Sequence, residues 1–339
     1  MLRFKTLGIF LIVFLPSANA QTVCKNFDDG LYKMMMNDYQ AAIQLFDQCL
    51  NENPKSGIVY FQRGTCYLSL NKPNIALVDF NQAILLDTSL YDTYFNRALA
   101  HQALKNFTFS EGDFLLYISK KPKEYKAYKH LAMLMEDMGD YLSAVNYYKK
   151  YIEFVPNDVA VLKSKALANS VAGLFNHAIE DIDRCFKIAP NDTTLWMLKG
   201  NIYFDAQKFS LAIDAYNNIL VNSPGNREAR INRADAFVSN RQYEEAIEEF
   251  RKLKIKEPRN AEFDFNIGFC LLQLGKNESA IASFTEAFNN NYDNLGLLLL
   301  YRGVAYNNNL KVAEACTDWK KSLEAGCKEA QSYLDNYCK

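Results

Sequence analysis

The sequence predicts an all-α solenoid of about nine helix–turn–helix repeats closed by a C-terminal helix. Three observations predict it. Small and aromatic residues recur at an interval of 34 residues. Gly and Pro are scarce, at 14 and 8 of 339 residues, while Tyr and Phe number 21 and 23, which suits an ordered helical chain with many bulky side chains. Six of the eight Pro residues, Pro54, Pro122, Pro156, Pro190, Pro224 and Pro258, fall where a second helix would end.

With the recurring Pro at position 32, repeats start at Val23, Gly57, Tyr91, Tyr125, Val159, Thr193, Arg227 and Ala261. A ninth starts at Gly296, one residue late, with Asn294 and Leu295 absorbing an insertion in a turn. Position 8 reads Gly30, Gly64, Ala98, Ala132, Ala166, Gly200, Ala234, Gly268 and Gly303. Position 20 reads Ala42, Ala76, Ser110, Ala144, Ala178, Ala212, Ala246, Ala280 and Ala315. Position 24 reads Phe46, Phe80, Phe114, Tyr148, Ile182, Tyr216, Phe250, Phe284 and Trp319. Positions 4, 8 and 11 share one face of a first helix, and positions 20, 24 and 27 one face of a second. The small residues let the neighbouring helix bring its position-24 knob close. Repeats two, eight and nine carry Thr88, Tyr292 and Cys327 in place of Pro, so their turns are expected to be less sharply defined. Lys33 stands where repeat one should have an aromatic, marking that repeat as the N-terminal cap. Residues 328–339 space Ala330, Tyr333, Leu334 and Tyr337 as a closing helix does.

The stretch Trp196, Gly200, Tyr203, Ala212, Tyr216, Pro224 resembles the tetratricopeptide repeat, a helix–turn–helix unit of 34 residues. Each hairpin leaves an apolar face for the next to cover, so the units should stack as one right-handed superhelix spanning 21–339 with no internal domain boundary. The resemblance implies that first helices line a concave groove and that positions 2, 5, 6, 9, 12 and 13 face a protein or peptide partner. It also implies that Asn at position 6, here Asn96, Asn232 and Asn266, grips the partner's backbone. The family's clamp for a terminal carboxylate would fall on Phe61, Thr65, Asn96, Lys126 and His130, of which two match. Specificity is expected instead from unlike residues such as Met197 and Asn201, and from apolar groove positions.

Those apolar positions include Phe61, Phe95, Leu99 and Met133 in the N-terminal repeats, and Ile231, Phe265, Phe269 and Leu300 in the C-terminal ones. As an exposed strip they would anchor partner side chains; under tight curvature they would be buried against adjacent first helices. On the first reading, Phe61→Glu with Phe95→Glu abolishes partner capture and leaves helicity intact. Charged groove residues are few and mixed, among them Asp92, Lys126, Glu228, Asp235 and Glu262.

Residues 1–20 read as a secretory signal peptide: Arg3 and Lys5, an apolar run from Leu7 to Leu15, then Ala18-Asn19-Ala20 before the cut. A retained short anchor is the alternative, although the run is short for a bilayer span. Without Arg3 and Lys5 the chain has 36 basic and 39 acidic residues, a balance that gives no electrostatic reason to expect a nucleic-acid partner. Export permits disulfides. Cys24 with Cys49, and Cys316 with Cys338, can meet at the two ends; the alternative is free thiols packed as small residues, as expected for Cys66, Cys185 and Cys270.

No catalytic, cofactor or metal site is expected. His101, His130 and His177 lack metal-ligand spacing, His101 reads as a satisfied, partly buried histidine, and no phosphate loop or nucleophile elbow is present. The expected function is a non-enzymatic interaction scaffold of the periplasm or cell envelope. The alternatives are a structural component of an envelope secretion or polysaccharide-export machine, and a glycan- or wall-binding module.

Overall fold

The computed structural model describes residues 24–338. The expected signal segment lies outside the described residues. The fold is an all-α repeat solenoid, with no strand among the described residues, and its helices gather into two compact units that divide at residues 172 and 173.

In the first unit, α1 (Phe27–Met35) pairs with α2 (Tyr39–Glu52), α3 (Gly57–Ser69) with α4 (Pro73–Leu86), and α5 (Tyr91–Ala103) with α6 (Phe107–Lys120). Then α7 (Lys126–Asp137) pairs with α8 (Tyr141–Phe154), and α9 (Val159–Val171) packs on α8. In the second unit, α10 (Phe175–Ile188) packs on α11 (Thr194–Asp205), which pairs with α12 (Phe209–Asn222). The hairpins α13 (Arg227–Ser239) with α14 (Tyr243–Lys256), α15 (Ala261–Gln273) with α16 (Asn277–Asn289), and α17 (Leu295–Asn308) with α18 (Val312–Glu324) follow. The closing helix α19 (Ala330–Tyr337) lies on α18. It is shorter than the 328–339 expected, because Lys328 and Glu329 form a turn.

The position-24 knobs are fully buried: Phe46, Phe80, Phe114, Phe284 and Trp319 are each 0% exposed. A Cβ added at Gly64 would stand 2.8 Å from the Phe80 ring, and one at Gly268 2.8 Å from Phe284, so glycine there gives the ring its seat. Trp319 donates its indole N–H to the Leu300 carbonyl (3.2 Å), and the Tyr333 ring of α19 lies over it at 5.0 Å.

Each first helix ends in the left-handed region at position 15. The residues are Asn37, Asn71, Lys105, Gly139, Gly173, Gln207, Arg241, Gly275 and Leu310, with φ from 56° to 79°. The backbone N–H groups of Asn37, Asn71, Lys105, Gly139, Gln207, Arg241, Gly275 and Leu310 cap carbonyls of the last helical turn, as Leu310 N–H does at Asn307 (3.0 Å). Asp38, Asp140, Asp158, Asn226 and Asn294 start helices by accepting from the backbone N–H three residues on.

The turns without Pro are as well defined as the others. At Thr88, the Asp87 carboxylate accepts from the N–H of Ser89 (2.8 Å) and from its hydroxyl (2.6 Å), an Asx turn that does the work of the ring. In repeats eight and nine the second helix stops one residue sooner, on Asn291 (φ 59°) and Gly326 (φ 94°). The N–H groups of Tyr292 and Cys327 then reach back to Ala287 and Ser322 at 3.0 Å each, forming Schellman caps.

A further column joins consecutive hairpins. Arg63, at position 7, holds Asp79 of its own repeat with two bonds (2.9 and 2.7 Å) and Asp47 of the preceding repeat with a third (2.6 Å). Arg97 repeats the pattern on Asp113 and Asn81, Arg233 on Glu249 and Asn217, and Arg302 on Asp318 and Thr285. Asp79, Asp113, Glu249 and Asp318 are buried. The guanidinium fork holds Asp79, Asp113 and Asp318 with two bonds each, while Glu249 takes one bond from Arg233 and others from Arg230 and Lys252; removing one partner of such a buried pair costs about 3–5 kcal/mol.

Each end is cross-linked: Cys24 to Cys49 (Cα–Cα 5.4 Å) and Cys316 to Cys338 (5.7 Å). Cys66 and Cys270 are buried free thiols, Cys327 is a half-buried one, and Cys185 is buried.

Candidate partner-binding cleft

The expected apolar strip is largely core. Phe61, Phe95 and Phe265 are 4%, 5% and 7% exposed. Phe61 packs on Phe80, Phe95 on Phe114, Tyr117 and His130, and Phe265 lies flat on Tyr292 at 4.4 Å. A groove position next to a neighbouring first helix is covered by it, so Phe61→Glu with Phe95→Glu would put two carboxylates into the core and unfold these repeats instead of sparing helicity. Phe269 is half-buried against Tyr301 (5.3 Å), and Met133 and Lys126 are half-buried.

The asparagines divide. Asn96 is buried and donates to the Thr65 hydroxyl (3.0 Å), which itself donates to the Phe61 carbonyl (2.8 Å). It is a strut between α3 and α5. Asn266 is half-buried and makes no hydrogen bond among the described residues. Asn201 and Asn232 meet.

The site they form lies in the second unit. Tyr216 of α12 occupies position 24, where most repeats have Phe, and its ring packs against Gly200. The phenol O–H passes the packing plane and donates to Asn201 Oδ1 (2.8 Å). The Asn232 Nδ2 donates to that same oxygen (3.1 Å) and lies 3.5 Å from Met197 Sδ. The Asn201 oxygen is thereby occupied, leaving its NH2 and the Asn232 carbonyl without partners among the described residues. Burial raises the Tyr216 phenol well above its ordinary value, so it stays protonated and donates throughout the physiological range.

Two open cavities meet at Asn201. One, about 280 Å³, is lined by Asn201, Phe204, Asp205, Tyr216, Asn232 and Asp235. The other, about 430 Å³, is lined by Thr194, Met197, Leu198, Asn201 and Glu228 among others. Together they take in positions 2, 5, 6, 9, 12 and 13 of repeat six, which are the groove positions the resemblance implied, and positions 2, 6 and 9 of repeat seven. Asp235 is half-buried with no hydrogen bond or ion pair among the described residues; burial, and then Glu262, push its carboxyl up to about 6. Sequence reasoning had Tyr216 only as a packing knob and did not single out Phe204 or Asp205. The signal available was Tyr where most repeats have Phe.

His101 is partly buried, as expected, and stacks on Phe109 (5.3 Å), but its Nδ1 has no partner among the described residues, so it is not satisfied. Burial lowers its pKa, and burial with Lys129 and Lys126 lowers that of His130 to about 4; both rings are neutral at pH 7. Among the described residues, no group of three or more His, Cys, Asp or Glu side chains is placed to hold a metal ion, and no helix is long and apolar enough to cross a membrane.

The chain carries tetratricopeptide repeats. Family models described as tetratricopeptide repeat match residues 197–257 and 231–294, 30–56, and 125–158. The fold is similar to the C-terminal part of a repeat-containing protein from Cytophaga hutchinsonii, with TM-score 0.62, 17% identity, and coverage of 71% of this chain and 99% of that one. It is also similar to a tetratricopeptide repeat protein from Parabacteroides merdae, with TM-score 0.52, 18% identity, and coverage of 74% and 99%. No curated protein matches the sequence.

Proposed function

We propose that the protein is a non-enzymatic interaction scaffold of an exported compartment, and that it holds an extended segment of a partner protein in the cleft between α11 and α13. Tetratricopeptide folds serve typically as protein-binding scaffolds. The observation that carries the reading is the Tyr216–Asn201–Asn232 network. It leaves one amide donor and one carbonyl acceptor beside an open cleft, which is the pair an extended backbone needs. The two disulfides support an oxidising compartment.

Photo-crosslinking tests it. A benzoylphenylalanine at Leu198 is expected to trap one recurrent partner segment in cells, and the same group at Val221, 79% exposed on α12, is not. Equal trapping at both positions, or none at Leu198, would count against the cleft.

A structural role in a larger assembly is the second reading. It is favoured by the apolar side chains that α4 and α6 leave in the open: Val78 and Phe109 are each 68% exposed and Leu85 is 77% exposed. A glycan platform has less support, because among the described tyrosines only Tyr32 and Tyr337 stand exposed, and each belongs to a terminal element.

A further inference from the structure

We infer that the α11–α13 cleft selects a segment with a lysine or arginine side chain, whose cationic head sits between Asp205 and Asp235 while Asn201 and Asn232 hold the adjacent backbone. The inference rests on the groove reading above and adds to it the chemistry of the occupant.

Four observations converge on a cation. First, the 280 Å³ cavity has two carboxylates on its wall, Asp205 from α11 and Asp235 from α13, and neither has an ion-pair or hydrogen-bond partner among the described residues. Glu228 lines the adjoining cavity. Second, the arginines of α13 are engaged elsewhere: Arg227 on Glu257, and Arg230 and Arg233 on Glu249. The nearest cation on α11, Lys199, is engaged by Asp183. The cleft therefore presents negative charge that the fold itself leaves unmatched. Third, half-burying a carboxylate with no partner is costly, and Asp235 resists ionisation here for that reason. A bound ammonium or guanidinium would supply the missing partner. Fourth, the half-buried Phe204 lines the cavity and offers apolar surface to the aliphatic stem of Lys or Arg.

A metal ion would use the same charge but needs a converging set of ligands, and no such set occurs among the described residues. An acidic segment would meet like charge at Asp205, Asp235 and Glu228, which excludes the terminal-carboxylate mode for this cleft.

The test is a display library of random decapeptides panned against the full mature chain, followed by fluorescence anisotropy on enriched peptides. Lys or Arg is expected to be enriched at one fixed position. Replacing it by norleucine, which keeps the apolar length and removes the charge, is expected to weaken binding at least about tenfold at low salt, less at high salt. The doubly substituted Asp205→Asn/Asp235→Asn chain should bind the Lys and norleucine peptides alike, with unchanged circular dichroism. Asn201→Ala should weaken both peptides equally. Enrichment of apolar residues alone, or a Lys preference that survives in the Asp205→Asn/Asp235→Asn chain, overturns the inference and leaves the groove reading standing. No enrichment of any kind overturns both.

Discussion

Asp235 shows how a single residue can work against the fold that holds it. Its carboxyl is raised from an ordinary 3.8 to about 6 by burial and by Glu262 on α15, with Asp205 on α11 and Glu228 on its own helix adding no relief. Because the folded-state pKa lies above the unfolded one, its contribution to stability is fully present below about pH 4 and lost as the pH rises through about 6. Asp235→Asn is therefore expected to stabilise the chain at pH 7.5, by an amount on the order of 1–3 kcal/mol, and to leave it unchanged at pH 4. Thermal melts at the two pH values check this; equal effects at both would point to packing instead of charge. Asp235 was legible as a charged groove residue. That it is half-buried and unpaired was not, because that depends on where α11 and α15 place their side chains.

At the scale of the element, the helix hairpin was legible and its fastenings were not. The columns at positions 8, 20 and 24 stand out because one residue type recurs in each. The left-handed turn at position 15 is spelled Asn, Lys, Gly, Gln, Arg or Leu, so its sameness lies in the backbone and no residue type announces it. Leu310 is the costliest spelling: φ is 62° and the side chain is 91% exposed, so it makes no packing contribution to offset the strain. Leu310→Gly is expected to raise the melting temperature by about 1–3 °C. Val221→Gly, exposed but inside α12, should lower it. The clamp of Arg63, Arg97, Arg233 and Arg302 was readable in principle, since each has Asp or Glu 16 residues on. Sixteen is not a spacing that helical periodicity brings to notice; it follows only from how two antiparallel helices pair. The exposure of the apolar strip was illegible for a related reason. Phe61 and Phe95 have the same neighbours in sequence whether an adjacent first helix covers them or not.

At the scale of the whole chain, repeats contact chiefly their neighbours, so stability is approximately a sum of local terms and the ends melt most readily. The end repeats are the ones that carry disulfides. Reduction is expected to remove about 3 kcal/mol from each closed loop. In hydrogen exchange, α1, α2, α18 and α19 should then lose protection first, while α11 to α15 keep theirs and the cleft keeps its partner. Loss of partner binding on reduction, with protection intact in α11 to α15, would mean that the end repeats belong to the binding surface.

The placement of those bridges also matters for force. A repeat chain caught between two fixed structures is pulled from its ends, and a stack of hairpins peels from there inward. Here the outermost 25 and 22 residues of sequence separation lie inside covalent loops. Tension applied at Cys24 and Cys338 passes through the bridges to α2 and α18 and does not unwind the end hairpins. Reduction releases both loops, lengthening a stretched chain by about 16 nm. The oxidation state of four cysteines thus sets how far the chain can be drawn out before its inner repeats bear load.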